Sequence, residues 1–175
     1  MKFARFASAA IALAVAGTAT AAETNYMFVA GIQGSVTAKG FENSIQVQSV
    51  SGGLSNSASA HIGSGAGAGA ADAKNLVVTI NLDKSWTPLM STAFLGQMIK
   101  SVEVRTVAPN ATGATAVVRR ILLSGAFITD IQQTTVEKNG VPDHDVLKVS
   151  FDYQSIQWNW AQPAMTFTAN VVPKS

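Results

Sequence analysis

The sequence predicts a mainly β domain, a sandwich or barrel, with one short helix among its strands and a leader ahead of it. Three observations carry this. Runs of β-favouring residues, several of them alternating apolar with polar, recur from Tyr26 to Val172, as half-buried strands require. Turn signals punctuate the runs, most clearly Lys138-Asn139-Gly140, because Asn-Gly tolerates the positive φ of a type I′ hairpin. One stretch, Ser85 to Gln97, drops the period of two for a spacing of three to four.

The chain opens on Lys2 and Arg5, followed by Phe6 to Ala16, apolar and small residues with Ser8 the only polar side chain. Thr18-Ala19-Thr20-Ala21-Ala22 then supplies small residues at the exit. Basic head, apolar middle and small-residue end describe a secretory signal peptide over residues 1–22, cleaved near Ala21 or Ala22. The apolar run falls short of the roughly 20 residues a span needs. A retained anchor and an amphipathic surface helix are the competing readings. Cleavage leaves one domain, residues 23–175, secreted or periplasmic and without stable membrane insertion.

Cleavage also removes the basic excess. The full chain has 12 Lys+Arg and 10 Asp+Glu; without Lys2 and Arg5 the two signs balance. The remaining basic residues do not cluster, and strand alternation splits Arg119-Arg120 between two faces, so no nucleic-acid partner is expected. A net charge near zero permits self-association. There is no cysteine, so burial alone holds the fold, and thiolate zinc sites and Cys nucleophiles are excluded.

Taken in order, Tyr26 to Ile32 is a short β-rich run ending in glycines, and Ile45 to Val50 alternates. Leu76 to Leu82 is a further strand. Ser85 or Thr87 is expected to cap the helix, Pro88 to occupy its first turn, and Gly96 to end it in a left-handed conformation. Leu89 and Ala93, with Met90, Phe94 and Met98 beside them, should face the core. From Ile99 to Val107, Val102, Val104 and Thr106 share one face, and Glu103, Arg105 and Val107 the other. Val117 to Ile131 is a long strand with a bulge or bend at Ser124-Gly125. Leu147, Val149, Phe151 and Tyr153 form one face of Val146 to Tyr153; Ile156, Trp158 and Trp160 alternate next. Met165 to Val172 is a last edge strand.

Chemistry-bearing patterns are sparse, and no catalytic, cofactor-binding or metal-binding residue is assigned. The glycines of Gly63 to Gly69 lack the Lys and Ser/Thr that a phosphate loop needs after its last glycine. Asp143-His144-Asp145 reads as a solvated turn, since adjacent side chains diverge where a metal requires convergence. His61 has no nearby acid, and no Gly-x-Ser-x-Gly elbow is present. Trp158 and Trp160 are read as a core face in preference to an aromatic platform for sugar or single strands. Asn110-Ala111-Thr112 is taken as a chance glycosylation match.

Gly31-Ile32-Gln33-Gly34, Lys39-Gly40, Ile45 to Gly52, Asp83-Lys84-Ser85, Gly96, Ile99-Lys100 with Val102, Val149 to Tyr153 and Ile156 to Trp160 follow one another in an order that resembles the Hcp family, the tube proteins of bacterial type VI secretion. The likeness runs from Tyr26 to about Gln162. It implies a compact β-barrel of two sheets with one short α-helix on its side and no catalytic site. It also implies hexameric rings of identical copies that stack into a hollow tube, with other secretion components or small effector cargo as partners. Two features depart from the pattern. The tube proteins assemble in the cytoplasm without a leader, so either this chain is an exported relative with another job or residues 1–22 are not a leader. The segment Ser51 to Ala71, where the family's ring-to-ring loop falls, is Gly, Ala or Ser apart from Leu54, Asn56, His61 and Ile62. It is read first as a flexible loop and second as the candidate for ring-to-ring contact. A periplasmic or secreted binding module on the same barrel is the alternative function, because fold does not fix function. A secreted enzyme is a third reading; a convergent trio including His61 or His144 would be its sign.

Overall fold

The computed structural model describes residues 23–56, 71–110, 114–161 and 163–171. The expected leader and most of the small-residue segment lie outside these residues. The described chain runs β1 (Thr24–Val29), β2 (Ile45–Ser51), β3 (Leu54–Asn56), β4 (Ala71–Ala73), β5 (Leu76–Asn81), α1 (Trp86–Phe94), β6 (Ile99–Pro109), β7 (Thr115–Lys138), β8 (Val141–Ala161) and β9 (Ala164–Asn170).

Six strands close into a barrel in the order β5-β2-β1-β6-β7-β8, with β8 pairing back onto β5. Every pair is antiparallel. Closure removes most of the free edges that a sheet of this size would otherwise expose. The alternating positions build the interior: Met27, Ile45, Val78, Ile80, Val102, Val104, Leu123, Leu147, Phe151 and Ile156 are all essentially solvent-free. β3 and β4, which follow β2 and precede β5 in the chain, form a separate two-stranded ladder.

Departures from strict alternation have visible causes. A register shift between Thr106 and Val107 turns Val107 inward, against the outward position its parity gives it. A shift between Val47 and Ser49 likewise brings Val50 toward the core. The expected feature at Ser124-Gly125 is a bend and not a bulge. Gly125 has φ +59° and faces Gln154, and the pairing register is the same on either side. The buried set passes from Ile121 and Leu123 to Ala126 and Ile128 in β7, and from Tyr153 to Ile156 in β8. Both strands therefore switch faces together, which is why the register survives. At this corner the other edge of β8 exchanges partners, from β5 up to Phe151 to β9 from Ser155.

Helix α1 ends as expected. Gly96 has φ +59°, Gly96 N–H donates to the Ala93 carbonyl and Gln97 N–H to the Thr92 carbonyl, the paired bonds of a Schellman motif. Its start differs. Ser85 occupies the cap position, but its hydroxyl donates to Asp83 Oδ1 in place of accepting from a helix N–H. Asp83 is the organiser: Oδ1 also accepts from Ser85 N–H (2.8 Å) and Oδ2 from Ser35 N–H (3.0 Å). One carboxylate thus ties the loop after β1 to the helix start. The helix buries Trp86 and Leu89, with Ala93 partly covered. Met90, Phe94, Leu95 and Met98 face solvent, so the expected core-facing stripe is only half buried.

Candidate assembly surfaces

β1, β6 and β7 present a charged outer wall. Phe28 pairs with Glu103 across β1 and β6, and Arg105 with Arg120 across β6 and β7. Arg105 grips Glu103 through two bonds (Nε–Oε1 2.7 Å, Nη2–Oε2 3.0 Å) and lies over the Phe28 ring at 4.6 Å. Arg120 adds a contact from the other side. Only 13% of the Glu103 side chain is exposed. Burial alone would raise its pKa; the hydrogen bonds and charges of Arg105 and Arg120 outweigh that and hold it below the ordinary glutamate range. A group depressed in the folded state stabilises fully above its unfolded pKa. That contribution is lost as pH falls through the lower native value. Acid titration of stability is therefore expected to be shallower in Glu103→Gln than in the parent below the ordinary glutamate range, with convergence at the acid end. Denaturant midpoints measured across that window check it.

Three exposed features suit self-association. The outer edge of β9 has no strand beside it among the described residues, β8 lying on its other side. β7 pairs with β6 only as far as Ala126, so from Phe127 to Lys138 no strand lies along its second edge among the described residues. Beyond Thr134 and Val146, where β8 no longer pairs with β5, the two strands project as a hairpin arm turned at Asn139 and Gly140, both with positive φ, as Asn-Gly requires. The third feature is the α1 flank, where Phe94 is 91% exposed beside Leu95 and Met98. Open edges pair with further strands, and exposed apolar patches mark contact surfaces. Sequence periodicity missed the α1 patch, because a nine-residue helix on a sheet buries one narrow stripe and several apolar positions compete for it.

The chemistry-bearing candidates do not converge. Asp143, His144 and Asp145 lie in β8 and not in a turn. His144 Nδ1 is 2.9 Å from Asp143 Oδ2, and its Nε2 is 3.0 Å from Gln48 Nε2 of β2. Asp145 is engaged elsewhere, by Thr135 Oγ1 (2.6 Å) and Gln133 Nε2 (3.2 Å). His61, Gly63 to Gly69 and Ala111-Thr112 lie outside the described residues; Asn110 Oδ1 accepts from Ala114 N–H (2.9 Å). Among the described residues no group of three or more His, Asp or Glu is placed to hold a metal ion. Trp158 and Trp160 are half-buried and so belong only partly to the core. Trp158 packs against Phe167, ring centroids 5.6 Å apart. Gln157 and Asn159 bond each other, and Thr168 and Thr166 of β9, in a polar ladder on the opposite face. Among the described residues no helix is long and apolar enough to cross a membrane.

Several solved proteins superpose on this barrel. A crystal structure of an Hcp protein superposes with a TM-score of 0.72 at 21% identity, over 87% of this chain and 100% of that one. The secreted protein Hcp3 from Pseudomonas aeruginosa gives 0.67 at 18%, over 87% and 100%. Hcp1 from Salmonella typhimurium gives 0.66 at 13%, over 85% and 95%. At these identities the likeness establishes the fold. No curated protein sequence matches the chain. The family model described as "Type VI secretion system effector, Hcp" matches residues 26–160, from the first core strand to the last aromatic of β8. With fold and sequence pattern agreeing over that span, the chain belongs to the Hcp family of type VI secretion.

Proposed function

We propose that this protein is a non-enzymatic ring subunit, six copies closing head to tail, with the rings able to stack into a hollow tube. The observation that carries the reading is the family match across nearly the whole barrel, joined to open strand edges on β7 and β9. A heterologous contact that closes by rotation gives a ring. Strand edges and an exposed Phe94 provide adhesive surface. Residues 1–22 serve as a leader removed near Ala21 or Ala22, and residues 23–175 are the exported subunit, periplasmic or secreted. Its partners are further copies of itself, other secretion components and small effector cargo held in the lumen. The small-residue segment between β3 and β4 contributes to ring stacking, since small residues permit close backbone approach.

Light scattering on the mature protein at high concentration is expected to give a mass of about six protomers, in keeping with closed cyclic assembly; a clean monomer contradicts the reading. Deleting Gly63 to Ala70 is expected to leave rings intact and weaken their stacking, read by sedimentation; unchanged stacking removes that segment from the interface. Mass spectrometry of the exported protein's N-terminus checks the leader, an uncut Met1 being the contrary result.

A further inference from the structure

Beyond Leu123 the inward-facing rows of the barrel continue for two more cross-strand layers. In the first, Val104, Ile121, Trp158 and Phe167 face one another across β6, β7, β8 and β9. In the second, at the rim, stand Thr106, Arg119, Trp160 and Met165. With Gly52 and Leu54, at the junction of β2 and β3, Arg119, Trp158, Trp160 and Phe167 line an open groove of about 420 Å³. That lies within the size range of small-molecule sites.

Arg119 distinguishes this groove from plain apolar surface. It is half-buried on the inward face, and its Nε–H donates to Thr106 Oγ1 at 3.2 Å. Thr106 is itself solvent-free and donates to Asn25 Oδ1 at 2.7 Å, so the stem of the guanidinium is anchored by a fixed acceptor. Guanidinium carries five N–H donors. The four on its Nη atoms have no carboxylate or other hydrogen-bond partner among the described residues. The neighbouring arginines differ: Arg105 and Arg120 both reach Glu103, which lies on the outward face of β6 and is engaged there. A held, uncompensated cation on the wall of an aromatic groove is complementary to an anion that carries an apolar body.

We propose that this barrel mouth binds a small apolar carboxylate. Its carboxylate takes the paired Nη donors of Arg119, and its body lies against Trp158, Trp160 and Phe167. One cation matches one negative charge; a phosphate dianion would leave a second charge uncompensated beside apolar walls, which is costly. All the groups of the site belong to one protomer.

The test titrates the mature protein with 4-phenylbutyrate, 4-phenylbutan-1-ol and 4-phenylbutylamine, following tryptophan fluorescence. Saturable quenching by the acid is expected at concentrations about tenfold lower than for the alcohol, the margin a hydrogen-bonded charge provides, with the amine weakest. Arg119→Gln is expected to bring acid and alcohol to the same affinity, Arg119→Lys to restore part of the preference, and Trp160→Leu to weaken both. Equal binding of all three probes by the parent protein, or no saturable quenching by the acid at millimolar concentration, overturns the proposal. The parent comparison decides the matter even where a variant folds poorly, and either result leaves the light-scattering test of ring formation untouched.

Discussion

Phe151→Ala is expected to lower the stability of this barrel by about 3–5 kcal/mol, the range for truncating a fully buried phenylalanine. Phe151 is 0% exposed and heads the largest fully buried side chains. It stands where the barrel closes, opposite Leu76 of β5 on one edge of β8 and Ile128 of β7 on the other. Its loss opens a cavity at the seam, where neighbours on three strands must stay in register to keep the barrel shut. Nothing covalent offsets the damage, because the chain has no cysteine. Typical domains hold only about 5–15 kcal/mol in total. For a chain of this length each 1 kcal/mol moves the melting point by roughly 2–4 °C, so thermal denaturation followed by circular dichroism should show a fall of roughly 10 °C. A shift under about 3 °C, less than about 0.75–1.5 kcal/mol on that scale, would mean the site collapses freely and the seam is not the tight junction described.

Gly34→Ala is expected to be nearly as severe, for a different reason. A Cβ at Gly34 would stand 2.1 Å from the Ser44 carbonyl oxygen, 2.5 Å from its carbon and 2.6 Å from Ile45 N. All three are backbone atoms at the entry to β2, where no side chain can swing aside. The same backbone is pinned by Gly34 N–H to the Asn43 carbonyl (2.8 Å) and Val36 N–H to the Ser44 carbonyl (3.1 Å). Relief requires moving the loop or the first residues of β2, and Ile45 is among the most deeply buried residues. Overpacking costs about 1–3 kcal/mol in ordinary cores, and a clash with backbone belongs at the top of that range. Gly31→Ala is the control with open space, although its φ of +84° adds strain of its own. Denaturant midpoints for the two variants separate steric from conformational cost: a midpoint for Gly34→Ala above that of Gly31→Ala contradicts the close approach.

The sequence made the strands legible wherever one face is buried and the other wet. Leu147, Val149, Phe151 and Tyr153 lie on the interior face as their alternation requires, and Val102, Val104 and Thr106 do the same. Alternation cannot reveal a place where two paired strands switch faces together. The Gly125–Gln154 corner does so, and β8 continues through it as one strand from Val141 to Ala161 where the pattern reads as two. Long-range organisers were equally invisible. Asp83 shows its role only through Ser35, 48 residues away. The Asp143-His144-Asp145 segment looks like a turn because its residues are polar, yet it is the exposed end of a long hairpin, where strand side chains need not be apolar. Trp158 and Trp160 were legible as one face; Trp158 borders the core and Trp160 stands a layer beyond it, so they line a mouth in place of the interior. Alternation splits Arg119 from Arg120, but it does not say which of the two turns inward or that Thr106 anchors it there.

Electron microscopy of the purified mature protein tests the architectural reading most directly. The account predicts annular particles with sixfold symmetry and a central opening, some of them stacked end to end. A field of small, featureless particles of one-protomer size at the highest attainable concentration would contradict it.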